Sequence, residues 1–130
     1  MQVPAYLRQK LVDWAGAAVP EEGCGLLLGR GDRVVDVVQL GNQAAVPTTE
    51  YTLDPIAYMR TEHAAERRGL AVVGVWHSHP CGCAVPSETD REAAWPDWVY
   101  IIIGYPGAGS CEIRAWRLMG AAFAEEELVE

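Results

Sequence analysis

Residues 70–79 read LAVVGVWHSH. A valine-rich apolar run of this length is far below the roughly 20 residues of a membrane span. It is what a strand shows when helices or loops cover both of its faces, and so it predicts a central strand. The run ends in two histidines on alternate positions. Side chains on a strand alternate sides, so His77 and His79 point the same way from the strand end and can share one ion.

The segments around this strand alternate between helix and strand. Leu7, Leu11, Trp14 and Ala18 recur at helical spacing and predict an amphipathic helix from about Pro4 to Ala18, closed by Pro20. GCGLLLGR reads as a short buried strand, and RVVDVVQL, after the turn Gly31-Asp32, as its hairpin partner. Turn residues fill Gly41 to Leu53, which predicts a loop leading into a short strand around YTL. Asp54-Pro55 is an N-cap followed by proline at the first helical position, and Gly69 is a stop. A second helix therefore lies between them, with His63 on the face of Ile56 and Met59 as a core or boundary histidine. A short helix from Ser87, the strands VYIIIGY and CEIRAWRL, and a weaker last strand in AAFAEEELV complete the chain. The expected fold class is an α/β sandwich with a mixed sheet, residues 1–130 forming one domain.

Charge and leader signals narrow the partners. The net charge of -8 comes with no basic cluster, which argues against nucleic acid or an anionic membrane as partner. The start MQVPAYLRQK has no signal-peptide pattern, so the expected address is cytoplasmic and the four cysteines are expected as reduced thiols. Cys24, beside LLLG, and Cys111, at a strand start, read as packing residues. Trp76 and Trp95 flank the histidine pair and are open to either a core or a substrate-groove reading.

After the histidines comes PCGCAVPSETD. Ser87 and Asp90 are spaced as a capping box, in which serine and an acidic residue satisfy helix N-terminal amides. A first-turn aspartate can also aim its carboxylate back at the strand end, so capping and metal ligation are compatible. Two histidines and one carboxylate leave the fourth position of a tetrahedral zinc open, which marks a catalytic rather than a structural site. Water held there has its pKa lowered to about 7 and needs a nearby carboxylate to move its proton. PEEGCGLLLG offers Glu21 and Glu22, and its Gly23 and Gly25 let the backbone pass close to something. Cys81 and Cys83 could instead close the site as a structural Cys2His2 centre, although the very short loop between ligands would strain it.

EEGCGLLLG together with HSHP and then PSETD resembles the JAMM (MPN-plus) metalloprotease family. Its pattern is a glutamate ahead of a Gly-Leu strand, His-x-His, ten residues and Asp, with Ser three before that Asp. The similarity covers residues 3 to about 118. It implies zinc held by His77, His79 and Asp90, Glu22 as general acid/base, and Ser87 helping to stabilise the oxyanion. It also implies a cytidine-deaminase-like fold, a mixed β-sheet sandwiched between helices. The compact form is similar to prokaryotic members that act on ubiquitin-like sulfur carrier proteins, which end in diglycine, and the resemblance implies such a carrier or its C-terminal adduct as substrate. Two other classes stay open: a zinc deaminase, whose signature needs His-x-Glu and Pro-Cys-x-x-Cys, and a non-catalytic MPN-type interaction module.

Overall fold

The computed structural model describes residues 1–107 and 109–130. Along the chain run α1 (Ala5–Ala18), β1 (Cys24–Arg30), β2 (Arg33–Leu40), α2 (Pro55–Arg67), β3 (Ala71–His79), α3 (Glu88–Ala93), β4 (Val99–Gly104), β5 (Glu112–Met119) and β6 (Ala122–Glu126). The strands form one six-stranded sheet in the order β2-β1-β3-β4-β5-β6. β3 and β4 are parallel, and the other neighbouring pairs are antiparallel, so the sheet is mixed.

Each face of the sheet has its own apolar layer. On one face Leu7, Leu11 and Ala15 of α1 pack against Leu27, Val37, Trp76, Ile101 and Ile103. On the other, Ala65 of α2 and the partly buried Tyr58 pack with Leu26, Leu28, Val75 and Tyr100. Burying each leucine, valine or isoleucine among them stabilises the fold by about 1.5–3 kcal/mol before chain entropy is counted, which is why the sheet is covered on both faces. The LAVVGVWHSH run is the third strand, between β1 and β4.

Gly25 marks a close approach that no other residue would allow. A Cβ there would stand 1.8 Å from the Val38 carbonyl oxygen and 2.5 Å from Trp76 Nε1. The Trp76 indole passes under β1 to donate a hydrogen bond to that carbonyl at 3.0 Å. What the backbone passes close to is therefore a core tryptophan, and Trp76, with no exposed surface, belongs to the core rather than to a groove.

Three expectations are corrected. YTL is not a strand: Leu53 makes only an isolated bridge to Asn42. The Asn42 side chain accepts the Thr52 N–H at 3.1 Å and so takes the place of a ladder partner. His63 is exposed, as are Ile56 and Met59, at 61% and 65%. α2 docks through Tyr58 and Ala65, about two-fifths of a turn round from that stripe. Cys111 is exposed, because β5 begins one residue later at Glu112 and leaves the thiol in the preceding loop. Cys24 is buried, as expected of a packing residue.

The parallel pair positions the site. Residues 80–98 cross from β3 to β4 and carry α3, so α3 starts outside the carboxyl ends of the two strands. In open α/β sheets that is where ligand crevices form.

Candidate metal centre

His77 and His79 stand at the end of β3 with ring centroids 5.0 Å apart. His77 is fully buried, and Tyr51 stacks on it at 4.3 Å between centroids and 21° between planes. His79 is turned by its other nitrogen: Nδ1 lies 2.9 Å from the Cys83 carbonyl oxygen. A carbonyl can only accept, so Nδ1 carries the proton and Nε2 is the atom that faces the site.

α3 brings the carboxylate. Ser87 caps it, its Oγ accepting the Asp90 N–H at 3.1 Å while the Ser87 N–H donates to Asp90 Oδ2 at 2.9 Å. The same Oδ2 lies 3.1 Å from His79 Nε2 and 3.8 Å from His77 Nε2. Capping and convergence on the histidines are thus properties of one oxygen. The Ser87 hydroxyl, used as an acceptor by the helix, keeps its own O–H to donate.

Glu22 comes from the other side. It is 5% exposed, whereas Glu21 points to solvent. Its Oε1 lies 3.5 Å from His77 Nδ1. Its backbone is pinned on both flanks: the Glu22 N–H donates to the Pro47 carbonyl at 2.8 Å, and in the peptide that follows, Asn42 Nδ2 donates to the Glu22 carbonyl at 3.1 Å while the buried Ser78 Oγ accepts the Gly23 N–H at 2.8 Å. Glu22, His77 and His79 each offer a ligand atom within 4.8 Å of the others. Neither thiol of Cys81 and Cys83 joins that group.

The charges in this cluster are coupled. Burial alone would raise the Asp90 carboxyl, but its hydrogen bond to His79, the nearby His77 and the Ser87 N–H outweigh it and hold the group at about 2. Burial alone would lower His79, yet the Asp90 hydrogen bond and the Cys83 carbonyl leave it raised. Burial, followed by the neighbouring Tyr100 and Asp90, pushes the Tyr51 hydroxyl well above its usual range.

The residues fit a metal ion. Glu22 Oε1 and both ring nitrogens of His77 are buried without a hydrogen-bond partner. Each such orphan costs about 1–3 kcal/mol unless something meets it. Ligand atoms about 2.0–2.1 Å from a tetrahedral ion stand about 3.3 Å from one another, close to the Asp90–histidine separations. A cation bound at His77 Nε2 meets that orphan directly and leaves His77 Nδ1 to carry its proton toward Glu22 Oε1, 3.5 Å away.

A cleft of about 390 Å³ opens in front of the cluster, lined by Glu22, Thr48, Thr49, His79, Cys81, Cys83 and Ser87 among others. A separate groove of about 610 Å³, sharing no lining residue with this cleft, is formed by Leu53, Pro55 and Tyr58 with Trp95 and Trp98. Trp95, 65% exposed, is thus a groove residue.

A profile of prokaryotic homologs of the JAB domain matches residues 4–119. The chain belongs to this JAB-domain family. Among its relatives is the "Probable TtuB-protein conjugate cleaving protease" of Thermus thermophilus, 43% identical over 76% of the chain and 63% of that protein. Another is the desampylase of Haloferax volcanii, 44% identical over 68% of the chain and 66% of that protein. The chain thus spans just under two-thirds of the length of each. A solved structure of a protein from Desulfitobacterium hafniense, 27% identical, superposes with a TM-score of 0.88 over 98% of the chain and 90% of its own.

Within this JAB-domain centre, sequence reasoning missed Asn42, Tyr51 and Ser78. Ser78 had a signal, since the residue between two inward histidines must face the opposite side. Asn42 and Tyr51 sit in a loop whose path is set by contacts distant in sequence, and nothing local marks them.

Proposed function

We propose that the chain is a zinc-dependent hydrolase that cleaves the peptide or isopeptide bond after the C-terminal diglycine of a ubiquitin-like sulfur carrier protein. The carrying observation is the convergence of Asp90 Oδ2 on Nε2 of both His77 and His79, with the unpartnered Glu22 carboxylate beside them. In this reading His77, His79 and Asp90 hold the zinc, and Glu22 stays free of it.

Zinc bound there would lower the pKa of a coordinated water to about 7 and polarise the scissile carbonyl. Glu22 takes the water's proton and returns it to the leaving amine, a task suited to a carboxylate fixed by its backbone on both flanks. Ser87 donates its O–H to the carbonyl oxygen as that oxygen gains charge. The substrate tail lies extended in the cleft, where backbone pairing holds a strand best. Only residues without bulky side chains pass close to the ion, and glycine meets that demand. The names of the two relatives, a conjugate-cleaving protease and a desampylase, support the same substrate class. A deaminase finds no support: His79 stands where that chemistry needs glutamate. The proposal places the enzyme in the cytoplasm, where exposed thiols rest reduced and disulfides form only transiently.

The test is incubation of the zinc-loaded protein with carrier fusions, followed by mass spectrometry. A cut directly after the second glycine is expected, with little cleavage of tails changed to valine. Equal rates on diglycine and divaline tails would contradict the substrate class even if hydrolysis is real.

A further inference from the structure

Cys81 and Cys83 are unused by the chemistry above, yet both are free, exposed and line the cleft beside His79 and Ser87. One glycine separates them. In a turn, Cα atoms two residues apart stand about 5–6 Å from each other, inside the window of about 4.4–6.8 Å that a disulfide spans. Gly82 gives the turn the torsional freedom to bring the two sulfurs together.

This turn is tied to the metal centre. The Cys83 carbonyl holds His79 Nδ1 at 2.9 Å. The Gly82 carbonyl accepts the Tyr105 N–H at 2.6 Å, and the Ala84 N–H donates to Glu112 at 2.7 Å. At the end of β4 the backbone packs so closely that a Cβ on Gly104 would stand 2.6 Å from the Cys83 carbonyl carbon. Closing a ring across a single residue turns the peptides that follow Gly82 and Cys83, and the carbonyls on those peptides are the groups held by Tyr105 and His79, so the ring and these contacts compete.

We propose that Cys81 and Cys83 are a dithiol modification site, which small-molecule disulfides convert to an intrachain disulfide that draws the Cys83 carbonyl away from His79 and slows hydrolysis. One cysteine thiolate attacks a sulfur of glutathione disulfide, that S–S bond breaks, and one glutathione leaves as thiolate. The second cysteine then attacks the protein-bound sulfur, the ring closes, and the second glutathione leaves. Two electrons pass to the oxidant, and the two protons lost by the cysteines go to the leaving thiolates or to solvent. A disulfide that is strained and exposed is easily reduced, so the change is reversible. Losing the partner that orients a metal-ligating histidine weakens metal affinity or activity about 10–100-fold.

The loss of hydrolysis rests on the function proposed above; the disulfide and its effect on metal retention do not. The zinc-loaded wild type, C81S/C83S and, as a control, C111S are treated with glutathione disulfide. Non-reducing peptide mapping, competition for zinc with a chromophoric chelator, and cleavage of a diglycine fusion are then measured. Circular dichroism checks that each variant is folded, and Cys81→Ser alone serves as a second test, since it can form no ring. In the wild type and C111S, a Cys81–Cys83 link is expected with zinc affinity or cleavage falling 10–100-fold, restored by dithiothreitol. C81S/C83S should keep its zinc and its rate under oxidant, and Cys81→Ser should show no ring. The proposal is overturned if no such link forms, if it forms with zinc affinity and cleavage unchanged, or if C81S/C83S is inhibited like the wild type. A link that weakens zinc binding in a protein that cleaves no fusion upholds the dithiol site and counts against the hydrolase alone.

Discussion

Asp90 Oδ2 lies 3.1 Å from His79 Nε2. Because the Cys83 carbonyl fixes the His79 proton on Nδ1, two lone-pair-bearing atoms face each other across that gap. Only a cation, whether a proton or a metal ion, makes the contact favourable.

In the metal-free protein that cation is a proton, and stability follows pH accordingly. The Asp90 carboxyl falls from 3.8 to about 2 on folding, so its contribution is present above pH 3.8 and is lost as pH falls toward 2. The shift corresponds to about 2 kcal/mol. His79 is raised above 6.5, so its contribution is full below that pH and is lost as pH rises through the raised value. Thermal melts of the chelator-treated protein should therefore peak between about pH 4 and 6.5. Asp90→Asn should flatten the decline above pH 6.5, and an unchanged decline in that variant would count against the pairing.

Glu22 and Glu21 should separate cleanly. Glu22→Gln keeps shape and hydrogen bonding but cannot shuttle a proton. It should hold zinc and lose turnover on the order of 100-fold or more. Glu21, which points to solvent, should tolerate the same change. Exchanged phenotypes would mean that the other carboxylate acts.

Gly25→Ala tests the packing behind the site. A Cβ there meets the Val38 carbonyl oxygen at 1.8 Å, which neither strand can yield without moving Trp76. Denaturant unfolding should show a loss of about 1–3 kcal/mol or more, as for an overpacked core. A stability equal to wild type would mean that the strands part more easily than the Trp76–Val38 hydrogen bond suggests.

Much of the fold was legible because its signals are local. Alternating histidines on an apolar run, a proline after an N-cap, and a serine three residues before an aspartate each act within one turn or strand. The α2 face was misread because Ile56, Met59 and His63 make a helical stripe as regular as the buried one, and only the docking of α2 on the sheet decides which turns inward. The path of residues 41–53 was out of reach for a related reason. Asn42 gathers the carbonyls of Glu22, Pro47 and Glu50 with one side-chain amide, and no periodicity reports such a hub. The same loop delivers Tyr51 to the face of His77, so the part of the site that sequence left blank is the part built by long-range hydrogen bonds.

Metal content of the purified protein tests the ligand set most directly. Elemental analysis should find about one zinc per chain in the wild type, in line with a three-ligand site. His77→Ala, His79→Ala and Asp90→Ala should each lose most of it along with cleavage of a diglycine fusion. Full zinc occupancy in His77→Ala would contradict the assignment of His77, His79 and Asp90 as the ligands.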